Sequence, residues 1–274
     1  MDFWEAEALE DVMKGRTRPL ALRCVRSIPA SDPNADEDED RDQPPETQTL
    51  IVKAPGHPEV TRTSLFCELF GNLLARELGV ETPAPALVNL SGEIVGQLNP
   101  TLSAYNIQLV PGLAAGCKYL KGGLVSPVPL VELSLEELAA AVRLYAFDMV
   151  AQNPDRRPEK PNCALLGGRL IAYDFEMAFS FIYALGKQPP PWQVSKLSMG
   201  PRHLFYPRLR RQAHAVDWGP FISDLARLKA GRINELLDEV PSEWREHANT
   251  VRKHLSAISR NTSKLHLELA RSLL

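Results

Sequence analysis

Apolar residues in SLFCELFGNLLARELG fall at Leu65, Phe66, Leu69, Phe70, Leu73, Leu74 and Leu78, a stripe with the period of a helix. The spacing predicts a helix that ends at Gly79, since glycine readily takes the left-handed conformation of a helix C-terminus. A second helical period runs through SLEELAAAVRLYAFDMVAQN and opens with Ser134 and Glu137, the spacing of a capping box. PLALRCVRSI and TLIVKA are short, β-branched or leucine-rich and bounded by proline, which predicts the two strands of a hairpin closed by Lys53. CALL and RLIAYD, joined at Gly167-Gly168, predict a second, shorter hairpin.

Other stretches are less periodic. TPAPALVNLSGEIVGQL is expected to form extended segments around a Ser-Gly turn, and the proline- and glycine-rich run from Pro111 to Pro129 to be a connector. From Asp217 onward, FISDLARL, GRINELLDEV with Pro241 as its stop, SEWREHANTVRKHLSAI and a last segment to Leu274 have helical patterning. No internal repeat is evident. The expected fold class is therefore α+β, with a β-rich lobe carrying one helix over residues 1–110 and a mainly α-helical lobe over 111–274.

One segment changes this picture. Ser31 to Gln48, SDPNADEDEDRDQPPETQ, holds eight acidic residues and three prolines and no large apolar side chain, so it is expected to be a disordered loop. A solvated insertion between two strands accounts for it, with a regulatory or partner-binding role as the alternative.

Composition excludes more than it selects. The 274 residues suit one large domain or two lobes. Hydrophobic residues make up 44% and charged residues 24%, and the net charge is −3, which gives no reason to expect nucleic-acid binding. The four cysteines, Cys24, Cys67, Cys117 and Cys163, form no CxxC pair, so neither a zinc site nor a disulfide framework is suggested. The acidic start MDFWEAEALEDVMKG is unlike a signal peptide, and no apolar run approaches the length of a membrane span. A cytoplasmic protein without membrane contact is the expectation.

The candidate chemistry lies in NPDRRPEKPNCALLGGRLIAYDFE, Asn153 to Glu176. The hairpin in this stretch brings Asp174 back towards Asp155 and Asn162, so that two carboxylates and an amide converge. Phosphoryl transfer needs such a set, with a carboxylate to orient the attacking hydroxyl and oxygen ligands to hold Mg²⁺ against nucleotide phosphates. The prolines stiffen the loop that carries these groups.

At these residues the sequence resembles the HipA-like kinases, in particular their compact stand-alone branch, and more distantly the protein and phosphatidylinositol kinases. The shared motif is N-x-D-R, then N-P-N-x-L, then an apolar strand ending in I-D-H-G. Here it is Asn153, Asp155 and Arg156, then Lys160 to Leu165, then Ile171-Ala172-Tyr173-Asp174. Upstream, IVKA and NLLARELGVETPAP resemble the family's strand lysine and the helix that follows it.

The resemblance implies a bilobed protein-kinase-like fold that binds ATP and Mg²⁺ and phosphorylates a serine or threonine of a protein. It implies Asp155 as the catalytic carboxylate, Asn162 and Asp174 as Mg²⁺ ligands, Lys53 as the phosphate-binding lysine and Glu68 as its ion-pair partner. Lys14-Gly15-Arg16-Thr17 would be the phosphate-facing turn, with one glycine where kinases have several. A bacterial enzyme of the toxin or regulatory kind, with an antitoxin or regulatory partner, is implied too. The resemblance breaks at Asp174-Phe175-Glu176, where the families have glycine in the last place. Either this metal loop is held differently or Glu176 is a third oxygen donor. A pseudokinase that binds nucleotide without turnover and a small-molecule phosphotransferase are the alternatives. His203 and the run Arg202, Arg208, Arg210 and Arg211 are expected on a solvated face, with packing of His203 against the catalytic loop and contact of the arginines with an acidic partner as the alternatives.

Overall fold

The computed structural model describes residues 1–27, 45–120, 134–186 and 188–274. It divides into two compact units, Met1–Leu65 with Ala84–Leu120, and Phe66–Pro83 with Lys121–Leu274.

The first unit is a closed five-stranded barrel in the order β1-β2-β3-β5-β4, formed by β1 (Asp2–Val12), β2 (Leu20–Arg26), β3 (Thr47–Lys53), β4 (Pro85–Leu90) and β5 (Gly112–Lys118). β2 and β3 pair antiparallel, Leu20 facing Val52, as the hairpin pattern predicts. β1 pairs antiparallel with β2 and parallel with β4, closing the barrel. Trp4, Leu22, Leu50, Val52 and Val88 fill it, and a buried residue of this size contributes about 1.5–3 kcal/mol.

Three expectations need correction here. After β4 the chain forms α2 (Gly92–Leu102), not a second extended segment; the Ser91 hydroxyl accepts from Ile94 N and caps the helix. Its apolar face, Ile94, Val95, Leu98 and Leu102, joins the barrel core. The expected connector contains β5, which sits between β3 and β4 in the barrel. Its small side chains suit that place, because a Cβ on Gly116 would lie 3.1 Å from Val88 Cγ2. Most of the expected acidic loop lies outside the described residues, but its last two positions, Thr47 and Gln48, begin β3.

The helix α1 (Arg62–Glu77) carries most of its length in the second unit. It ends as the apolar stripe predicts: Gly79 has φ 71°, and Val80 N and Gly79 N bond to Ala75 O and Arg76 O, a Schellman motif. The long helix α3 (Leu135–Ala151) opens with a complete capping box from Ser134 and Glu137. β6 (Cys163–Leu166) and β7 (Arg169–Ala172) form the short hairpin, with Gly167 and Gly168 at φ 58° and 81°, as a two-residue turn of this hand requires. The helices α4 (Tyr206–Arg211), α5 (Gly219–Arg227), α6 (Ala230–Asp238), α7 (Ala248–Ser259) and α8 (Thr262–Arg271) complete the unit. Phe66 and Phe70 of α1 stack at 5.5 Å and both approach Phe179, while Phe147 of α3 meets Phe175 edge-on. No helix among the described residues is long and apolar enough to cross a membrane.

Candidate metal and phosphoryl-transfer site

α3 delivers the chain to the candidate loop. Its C-cap, Gln152, is left-handed at φ 47°, which turns Asn153 inward. Asn153 is buried, donates to Asp148 Oδ1 at 3.0 Å and accepts from Asp155 N at 3.2 Å. The amide thereby links the helix to the backbone of the expected catalytic carboxylate. The loop then folds back on itself, with Arg157 and Lys160 exchanging two backbone hydrogen bonds of 3.0 Å.

Beneath the loop lies a fully buried ionic network. Arg156 Nε donates to Asp148 Oδ2 at 2.5 Å, and its Nη1 donates to Asn162 O and, at 3.5 Å, to Tyr173 O. One guanidinium so ties α3 to the residues immediately around Asn162 and Asp174. Its plane also lies over the Phe175 ring, 5.5 Å from the centroid. His203 supports the same carboxylate: its Nδ1 accepts from Phe205 N, so Nε2 carries the proton it shares with Asp148 Oδ2 at 3.0 Å. Burial opposes ionisation of Asp148, yet Arg156 and His203 outweigh it and hold the carboxyl below its usual range.

The solvated placement expected for His203 is therefore wrong, because the residue is 2% exposed. Arg208 is buried as well, whereas Arg202, Arg210 and Arg211 are exposed. Sequence reasoning gave no role to Asp148. Its signal was a carboxylate inside the apolar run AFDMV of α3, where an isolated charge must find a partner.

Above this base, Asp155, Asp174 and Glu176 each offer a carboxylate oxygen, all within 4.8 Å of one another. Asn162 joins them, donating from Nδ2 to Asp155 Oδ2 at 3.2 Å. Asn162 and Asp174 both have left-handed backbones, φ 45° and 60°, a conformation that asparagine and aspartate tolerate better than most residues. Glu176 is absent from the positive-φ residues, so no glycine is needed at its position. The Asp-Phe-Glu loop is held from α1 by Glu68, whose Oε2 accepts from Phe175 N at 3.0 Å.

Like charges so close repel by about 4 kcal/mol per pair at an effective dielectric near 20. Lys160 offsets part of this, its Nζ lying 2.5 Å from Asp155 Oδ2 and 3.3 Å from Asp174 Oδ2. Burial disfavours the ammonium, but Asp174 and Asp155 raise its pKa above the ordinary lysine value. The three carboxylates form an all-oxygen donor set that suits a hard cation such as Mg²⁺. Burial pushes the thiol of Cys163, the residue after Asn162, up to about 11.

The remaining expected site residues belong to the first unit. Lys53 ends β3 and is buried. Lys14 to Thr17 form the turn between β1 and β2; Thr17 is buried, Gly15 has φ 131°, and Arg16 pairs with Glu59. No protein-family model matches the chain, and no curated protein matches it.

Proposed function

We propose that the chain is a HipA-like kinase that uses ATP and Mg²⁺ to phosphorylate a serine or threonine hydroxyl of a protein. The observation that carries this reading is the convergence of Asp155, Asn162, Asp174 and Glu176 from two separate loops onto one small volume over a buried ionic base. Asp155 would accept a hydrogen bond from the acceptor hydroxyl and orient it, while Asn162, Asp174 and Glu176 would hold the cation. Bound Mg²⁺ would neutralise charge on the nucleotide phosphates. The rigid base supports catalysis by fixing these groups before substrate arrives.

Incubation of the protein with labelled ATP and a cell lysate tests the reading. The wild type is expected to label protein, and Asp155→Ala to suppress the label while leaving nucleotide binding largely intact. In parallel, Mg²⁺ and ATP together should raise the thermal midpoint, because ligand that binds only the native state stabilises it by mass action. Asp174→Ala should abolish that joint shift. A wild type that shows neither the shift nor the label overturns the proposal. Binding without transfer to any acceptor would instead identify a nucleotide-binding pseudokinase.

A further inference from the structure

Lys160 stands in the motif that points to phosphoryl transfer at a position where the family has asparagine, and the motif assigns it no role, yet its ammonium is placed among the carboxylates of the candidate site. It contacts Asp155 and Asp174 together. Its backbone is fixed by the paired hydrogen bonds to Arg157, and its side chain remains 39% exposed. The stem can therefore swing while the loop stays folded. A divalent cation and the lysine ammonium compete for the same oxygens, and both cannot be accommodated at full strength in so small a volume.

We propose that Lys160 is the resident counter-ion of the Asp155, Asp174 and Glu176 cluster, and that it yields this position only when metal and nucleotide arrive together. The inference rests on the kinase reading above. Without nucleotide, a metal ion must displace Lys160 from both carboxylates and leave the ammonium unpaired. With nucleotide, the displaced ammonium gains phosphate oxygens as new partners. Lys160 thus discourages binding of metal alone and favours binding of the metal–nucleotide pair. By this account it is a positioning residue that makes metal binding conditional on the phosphate donor.

Direct binding of Mn²⁺, followed by electron paramagnetic resonance or calorimetry with and without a non-hydrolysable ATP analogue, tests this. In the wild type, Mn²⁺ should bind weakly alone and more tightly with the analogue. Lys160→Met should bind Mn²⁺ alone about tenfold or more tightly than the wild type, with a smaller gain on adding the analogue. Lys160→Arg, which keeps the charge, should stay near the wild type, and it is this contrast with Lys160→Met that a merely structural lysine would not produce. Unchanged affinity for Mn²⁺ alone in Lys160→Met, with nucleotide-dependent binding retained, overturns the role of Lys160 and leaves the kinase reading intact. Absence of Mn²⁺ binding to every variant, with or without the analogue, overturns the kinase reading itself.

Discussion

At the scale of single residues, the Asp174-Phe175-Glu176 loop departs from the families it resembles without evident strain. The left-handed residue is Asp174, and Glu176 has no such backbone, so glutamate replaces glycine where glycine's freedom is not used. Its carboxylate joins the cluster. Glu176→Gly is therefore expected to weaken Mg²⁺-dependent nucleotide binding without raising phosphoryl transfer, as titration of Mg²⁺ against both quantities would show. A gain in turnover would mean that Glu176 obstructs the loop. Arg156 poses a different test, because its guanidinium serves a carboxylate and three backbone carbonyls at once. Lysine cannot reproduce that fork. Arg156→Lys should lower unfolding stability by about 3 kcal/mol in urea titrations, the scale of a broken buried pair.

At the scale of elements, α1 approaches the Asp174-Phe175-Glu176 loop through a missing side chain. A Cβ on Gly71 would lie 2.8 Å from Phe175 Cβ and 3.4 Å from Ala178 Cβ, so Gly71→Ala must push α1 and the loop apart. The expected outcome is a loss of about 1–3 kcal/mol in stability, together with weaker metal-dependent nucleotide binding. The helices α1 and α3, the β2–β3 pair and the short β6–β7 hairpin were legible, because their periods, their caps and the turn glycines Gly167 and Gly168 act locally. β1 was not. Its register with β2 shifts between Ala6 and Ala8 and again between Leu9 and Asp11, and each bulge breaks the alternation that marks a strand. α2 hid behind Gly92, Gly96 and Pro100, which lower helix propensity, although Ser91 and the spacing of Ile94, Val95, Leu98 and Leu102 were visible. Asp155, Asn162 and Asp174 could be found from their motif, whereas the burial of His203 depends on Asp148, 55 positions earlier, and no local pattern carries that.

At the scale of the whole molecule, stability should depend on buried imidazoles. Burial lowers His254 to about 4, against an opposing hydrogen bond to Val150 O. The unfolded chain then takes up a proton below about 6.5 that the folded protein refuses until about pH 4. Stability is full above this window and falls by about 3 kcal/mol as pH drops through it. His254→Gln should lose less stability than the wild type between pH 6.5 and 4 in urea titrations, and parallel losses would remove His254 as the cause.

The division of the chain into units has a consequence for synthesis. Phe66 to Pro83 belong with Lys121–Leu274, so almost all of α1 emerges from the ribosome before any of its later unit-mates. The ring that covers Phe66 and Phe70 is Phe179, made roughly 100 residues after α1 ends, a wait of about 5–20 s at about 5–20 residues per second. During that interval the nascent chain carries a phenylalanine-lined face that is a natural hold for chaperones, and a transcript broken before codon 179 yields a product that quality control can recognise by the same face.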